Sequence, residues 1–257
     1  MKPLWRWLAL VALALLALQL FFVSRIALML WLDPQSTAFQ RSEAWRLNTT
    51  QPASDKGAAR AAGKPAPWQQ QWVPYAAISD HLKRAVITSE DSEFAQHDGV
   101  DWDALEKAWQ KNTKAQEQAA RQSSANAAKA RTRAPKIVGG STITQQLAKN
   151  LFLSGERTLL RKGQEFVLTF MLEALLDKQR ILEIYLNNVE WGSGIFGAEA
   201  AARHYFRKSA AQLSVDEAAR LAVMLPRPKY FEKLPNSDYL ASRAGVIAAR
   251  MGSAELP

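Results

Sequence analysis

The chain contains no cysteine, which excludes disulfides, zinc–thiolate sites and a thiol nucleophile together. That absence permits an oxidising compartment without requiring one. Strand-like alternation of useful length is missing, and so is any internal repeat. The folded part is therefore expected to be mostly α. Acidic residues are scarce relative to basic ones, 24 against 33, leaving a net charge of +9. Such a surplus suits an anionic partner: nucleic acid, acidic lipid headgroups or a phosphorylated substrate. Charge alone does not choose among them. With 257 residues and 48% apolar composition there is material for one medium domain plus extras.

The N-terminus narrows the choice. Trp7 to Val23 is almost unbroken apolar sequence in which Gln19 is the only strongly polar residue, and Lys2 and Arg6 precede it. The run is short for spanning a bilayer, but Ser24 and Arg25 lead into Ile26–Leu32, which lengthens it by snorkelling. A cleaved signal peptide is the rival reading, yet its apolar region would be shorter and no small-x-small site follows Val23. Residues 1–32 thus read as a cytoplasmic stub and transmembrane signal anchor. The positive-inside rule keeps Lys2 and Arg6 in the cytoplasm and places the rest of the chain outside it. Trp5, Trp7 and Trp31 suit interfacial anchors.

Residues 33–72 lose periodicity and carry Gln51-Pro52-Ala53-Ser54 and Gly63-Lys64-Pro65-Ala66-Pro67, the composition of a linker. The folded domain is expected over 73–257. His81–Ile87 has helical spacing, with Asp80 or Ser79 as cap, and Asp101 suits the cap of a helix through Leu105. A basic insertion covers about 108–136. Seven Lys or Arg stand there against the single acid Glu117, with almost no large apolar residue to bury, so it reads as a solvated, mobile or partly helical segment. It could also serve as a basic flap over an anionic surface. Farther on, Arg161–Leu176 is a strongly apolar helix striped by Phe166, Phe170, Leu172, Leu175 and Leu176. Asp177–Asn188 and Ala198–Tyr205 are further helices, and Ser214-Val215-Asp216-Glu217 has the form of a capping box.

Two blocks concentrate the chemistry. The first, Glu90-Asp91-Ser92-Glu93-Phe94-Ala95-Gln96-His97-Asp98-Gly99, groups carboxylates. Neighbouring like charges disfavour ionisation of Glu90 and raise its pKa, as a general base near neutrality needs. The second, Gly139-Gly140-Ser141-Thr142-Ile143-Thr144-Gln145-Gln146-Leu147-Ala148-Lys149-Asn150, offers hydroxyls and amides for a sugar and a cation for a phosphate. Arg161-Lys162-Gly163-Gln164-Glu165 and Lys178-Gln179-Arg180-Ile181-Leu182-Glu183-Ile184-Tyr185-Leu186-Asn187 follow in order.

These four ordered blocks resemble the signatures of the family 51 glycosyltransferases, the peptidoglycan glycosyltransferases that polymerise lipid II. The resemblance spans Glu90–Asn187 and extends to about Pro228. It implies a mostly α, lysozyme-like glycosyltransferase domain preceded by one transmembrane helix. It further implies a bacterial inner-membrane location, single-pass, with the catalytic domain in the periplasm. By the same resemblance Glu90 is the general base and Glu165 a second functional carboxylate, which either orients a cation near the pyrophosphate or assists proton transfer. Phe94, Ser141, Gln145, Gln146, Lys149, Asn150 and Arg157 would contact substrate, Lys149 and Arg157 at the pyrophosphate. No metal-ligating residue is implied, although a divalent cation, magnesium or manganese, could accompany the pyrophosphate. The implied partners are lipid II, the lipid-linked growing glycan, the membrane and other cell-division or cell-wall synthesis proteins, with no nucleic acid.

Some residues read as structural. Arg180 and Glu183 stand three apart on one helix and suit an ion pair. His97 suits a local hydrogen bond. Asp101-Trp102-Asp103 has the outline of the Asp-x-Asp metal motif of nucleotide-sugar transferases, but no phosphate-binding glycine turn accompanies it and a helix cap explains it better. Bifunctional relatives carry a transpeptidase with a Ser-x-x-Lys nucleophile. That motif is absent, so the monofunctional branch is expected. The rival functions are a lytic glycan-cleaving enzyme with a similar cleft and a non-catalytic, membrane-tethered glycan-binding scaffold. Cations placed for a pyrophosphate argue against glycan cleavage.

Overall fold

The computed structural model describes residues 2–50, 68–125, 140–156 and 158–257. Helices dominate: α1 (Lys2–Leu28), α2 (Ala38–Thr50), α3 (Asp80–Glu90), α4 (Trp102–Ala125), α5 (Ile143–Phe152), α6 (Leu159–Leu175) and α7 (Lys178–Asn188). They continue as α8 (Ala198–Phe206), α9 (Val215–Met224), the short α10 (Pro228–Phe231) and α11 (Asp238–Arg250). Many begin on a residue chosen for it. Ser79, Thr142, Thr158, Asp177, Ser214 and Ser237 each accept a hydrogen bond from a first-turn backbone N–H, satisfying a donor the helix itself cannot. Thr142 with Gln145 and Ser214 with Glu217 form full capping boxes.

The core gathers where α5 packs on α6 and where α9 packs on α3 and α11. Leu82, Ile87, Ile143, Leu147, Leu168, Leu172, Ile181 and Tyr185 are fully enclosed within it. A small sheet closes one side. β2 (Glu190–Gly192) and β3 (Ile195–Phe196) pair antiparallel, and β1 (Gln69–Gln70) adds in parallel to β3. These strands are too short to leave an alternating pattern in the sequence.

The segment read as linker, 33–72, is therefore partly built structure. Thr37 and Gln40 exchange reciprocal side-chain-to-backbone bonds of 3.0 and 2.8 Å, a capping box that starts α2. Helix α2 lies against α5. Its buried residues are polar, Gln40 and Glu43, which is why no apolar period announces it. Near its end, Trp68 packs against Phe196 with ring centres 4.5 Å apart, and Asn187 clamps Val73 through two 2.9 Å bonds. Helix α4 carries the front of the basic insertion as far as Ala125, and the rest of that insertion lies outside the described residues.

Helix α6 also departs from expectation. Its inward face is Glu165, Leu168, Thr169 and Leu172, while Val167 and Phe170 are exposed and Leu159 and Leu160 almost wholly so. The apolar stripe is thus divided between the core and an outward surface. Helix α1 is apolar enough over Leu4–Leu28 to cross a membrane, with mean hydropathy 2.4. Its C-terminal part joins the domain, burying Ile26.

Gly197 joins the hairpin to α8 at φ +83°, and a Cβ there would lie 2.6 Å from the Asn187 carbonyl oxygen. Neither the conformation nor the space accepts a side chain. Gly197→Ala is expected to destabilise the domain by roughly 2–4 kcal/mol through strain and clash, read as a lowered midpoint in thermal unfolding of the full chain.

Candidate active site

The first block becomes a site because α3 ends on Glu90 and a turn follows at once. The backbone N–H of Asp91 closes the helix on Ile87 O at 2.8 Å, and its side chain reaches across to the second block. One Asp91 oxygen accepts the Ile143 N–H at 2.9 Å, at the positive end of α5, and the other meets His97 Nε2 at 2.9 Å. Burial alone would lower the His97 pKa, but the hydrogen bond and charge of Asp91 outweigh it and raise the pKa. His97 is thus the local bonding residue expected. The Thr142 hydroxyl completes the stitch by donating to Gly99 O at 2.6 Å. Gly99 has φ +86°, and a Cβ there would press to 2.8 Å against Thr169 and Glu173 of α6, so no larger residue fits the crossing.

Glu90 is half-buried and accepts a 2.9 Å hydrogen bond from Gln146 Nε2, whose own oxygen accepts from the Tyr185 hydroxyl at 3.0 Å. Burial raises the Glu90 pKa first. Gln146 and Ser89 oppose that rise, and the Asp91 charge adds to it. The elevation expected from crowded carboxylates is present, but desolvation is its main cause, and Glu93 points to solvent.

Two cavities meet at Ser141, which lines both. The smaller, about 170 Å³, holds Glu90, Ser89, Asp101 and Ser141. The larger, about 460 Å³, is bounded by Gln146, Lys149, Asn150, Arg161, Lys162 and Glu165, with Phe39 and Ser42 of α2 on its rim. Lys149 lines this cleft with its side chain exposed, and the surrounding walls still desolvate it and lower its pKa, with the Glu165 charge opposing. Glu165 is buried and ion-paired with Arg161 at 3.0 Å and with Lys162. Among the described residues, Arg161 Nε is buried without a partner and so keeps a donor in reserve.

The candidates therefore separate. Glu90, Ser141, Gln146, Lys149, Asn150 and Glu165 converge on the cleft. Gln145 lines it too, but its side-chain oxygen is taken by the Thr142 N–H of the capping box. Phe94 is a correction: it is 0% exposed, sealed in the core beneath the Lys178 ammonium at 4.6 Å, and no substrate can touch it. Arg157 lies outside the described residues. The paired Arg180 and Glu183 stand 2.9 Å apart as expected.

Arg161, Lys162 and Glu190 are among the cleft residues not foreseen. Arg161 and Lys162 were discernible, since they stand four and three residues before a buried Glu on one helix. Glu190 had no such signal. It lines the larger cavity, and burial, with help from Glu43, raises its pKa to about 7 against the pull of Lys229 at 3.2 Å. Glu43 itself is held low despite burial, because Lys229 and Arg46 both hydrogen-bond to it.

The Asp91 stitch makes a prediction about His97. Asp91→Asn removes the anion that favours imidazolium, so the His97 pKa should fall, as followed by NMR titration of its ring protons. Loss of the charge-assisted bonds at Ile143 and His97 should also cost about 2–3 kcal/mol of stability.

Comparison with known proteins gives the family. Residues 58–252 match the family model described as Transglycosylase. Curated relatives named "Biosynthetic peptidoglycan transglycosylase" include one from Burkholderia thailandensis and one from Burkholderia pseudomallei. Each is 52% identical over 256 residues, covering 98% of this chain and 88% of the relative. A third, from Burkholderia lata, is 52% identical over 244 residues, covering 95% and 87%. The chain belongs to the transglycosylase family and has its lysozyme-like glycosyltransferase fold.

Proposed function

We propose that Glu90 is the general base, and the Lys149, Arg161 and Lys162 group the leaving-group site, of a peptidoglycan glycosyltransferase. The chain polymerises glycan strands, and lipid II is the substrate on this reading. The observation that carries the assignment is the division of one cleft. A desolvated carboxylate stands at one end and a cluster of cations at the other, with Ser141 and Gln146 between them.

In the proposed step the 4-hydroxyl of the incoming lipid II gives its proton to Glu90 as its oxygen bonds to the donor anomeric carbon. The bond from that carbon to the pyrophosphate oxygen breaks on the opposite face, so the configuration inverts. Burial keeps Glu90 basic enough to take a hydroxyl proton, while the Gln146 bond keeps it ionised enough to be available. The departing pyrophosphate meets Lys149, Arg161 and Lys162, whose charges are already in place. Glu165 is bound by two of those cations, which supports an orienting role over proton transfer. A magnesium or manganese ion at the pyrophosphate would draw mainly on the substrate's own phosphate oxygens, and the step is derived from the protein's cations alone. Both Glu165 oxygens are occupied by Arg161 and Lys162, and no three acidic or histidine side chains gather among the described residues. No step is routed through a metal.

The long apolar α1 and the outward-facing Leu159, Leu160, Val167 and Phe170 support a substrate that arrives in the membrane plane. Lys2 and Arg6 support a cytoplasmic N-terminus, which puts the domain in the periplasm against the bacterial inner membrane.

The assignment is tested on purified full chain supplied with lipid II. Glu90→Gln should cut polymerisation by about 10²–10⁴-fold; undiminished turnover would remove Glu90 from its role. The acid limb of kcat/KM should lie above the ordinary carboxylate range, because only ionised Glu90 is a base. Gln146→Leu deletes a bond that favours the ionised form, so that limb should move to higher pH. Separately, Lys149→Ala should lower kcat by about 10²–10³-fold through lost stabilisation of the leaving group.

A further inference from the structure

Gln19 is the one strongly polar residue in the apolar run of the anchor. Between Leu4 and Phe21 every side chain is exposed except this one. An amide in an apolar span is costly unless it finds partners, and the partner a lipid-facing helix finds says what that face is for. Gln19 Nε2 donates to Gln164 Oε1 at 3.1 Å, and Gln164 Nε2 donates back to Gln19 Oε1 at 3.2 Å. Both amides are thus used twice in one closed pair.

Gln164 immediately precedes Glu165 on α6, the helix that also carries Arg161 and Lys162. The same face of α1 continues with Phe22, three residues on, and Arg25, three beyond that. Phe22 meets Phe152 edge to face at 5.4 Å, and the Arg25 guanidinium lies 5.5 Å from the same ring. Phe152 is the last residue of α5, the helix that carries Lys149. One stripe on the anchor therefore touches both helices that line the larger cavity.

From this juxtaposition we infer that Gln19 is a positioning residue: paired with Gln164, it sets α6 against α5 and so fixes the spacing between Lys149 and the Arg161–Lys162–Glu165 group. The anchor is then part of the framework of the leaving-group site as well as a tether. This rests on the reading that those cations receive the pyrophosphate. A displacement of about an ångström between catalytic groups costs on the order of 10- to 100-fold in rate, so a lost amide pair should register in turnover.

The test uses full chain in detergent with lipid II as substrate. Gln19→Leu and Gln164→Leu should each lower kcat by about 10-fold or more, with KM changed by less than about twofold. The double variant should be no worse than the poorer single one, since both delete one shared interaction. Unchanged kcat, or losses that multiply, would overturn the inference. Folding is covered by a second arm that exploits the absence of cysteine. In Gln19→Cys/Gln164→Cys the two new thiols are the only ones present, and a short thiol-to-thiol cross-linker should join them and recover at least half of the lost turnover. Failure to join them, or joining without recovery, would refute the positioning role. Failure of the pyrophosphate reading shows elsewhere, as full turnover in Lys149→Ala, while the cross-link still reports whether α1 docks on α6.

Discussion

The Asp91 carboxylate, enclosed between the end of α3 and the start of α5, uses both of its oxygens to join parts of the chain that lie 52 residues apart. One oxygen receives the first N–H of α5, where the helix dipole favours an anion, and the other receives His97. An ion pair in open solvent is worth little. This one is largely shielded from water, so removing the carboxylate leaves the Ile143 N–H and the His97 Nε2 without the partner they have here. Its position next to Glu90 gives it functional weight. Glu90 meets Gln146 at 2.9 Å where the next residue pins α3 to the helix on which Gln146 rides.

What was legible in the sequence follows from this arrangement. Helices with buried apolar faces and Ser, Thr or Asp caps announced themselves, as α3, α7 and α9 did, because period and cap report local physics. Helix α2 did not, since what it buries is Gln40 and Glu43, and their partners Asn188 and Lys229 lie far along the chain. The stripe on α6 was legible as apolar, but periodicity cannot separate a face that meets the core from one that meets lipid. Phe170 therefore shares the stripe with buried Leu172 and is itself exposed.

The site was legible as a set of blocks and less so residue by residue. Phe94 and Glu90 stand four apart in one block, yet one fills the core and the other lines a cavity, because a turn intervenes and the spacing no longer tracks a helix face. Gln145 and Gln146 are neighbours of the same type with different tasks. On a helix, adjacent residues point about 100° apart, so one completes the cap of α5 while the other bonds the base. Glu190 shows the opposite limit. A single acid between Val189 and Trp191 carries no sequence signal, and it gains its character only from the burial and charges that the fold assembles around it.

Charge balance links the two ends of the cleft. At the corner proposed for the leaving group, Lys149, Arg161 and Lys162 stand with Glu165, and Glu156 and Glu190 line the same cavity, so the cations are partly balanced by the protein itself. Were the corner to hold only cations, their mutual repulsion would work against folding and against keeping Lys149 protonated in a desolvated cleft. Glu165 relieves both, as its opposition to the lowered Lys149 pKa shows. Yet it cannot quench the corner, because a single carboxylate shared between Arg161 and Lys162 leaves donors such as Arg161 Nε uncommitted among the described residues. At the other end, among the described residues, Glu90 is hydrogen-bonded by the neutral Gln146 and Ser89, and burial raises its pKa against those bonds and the smaller pull of the Lys149 charge. The same exclusion of water thus makes the acid a better base and makes the cations stronger partners for an anion. The two halves of the reaction draw on one physical cause.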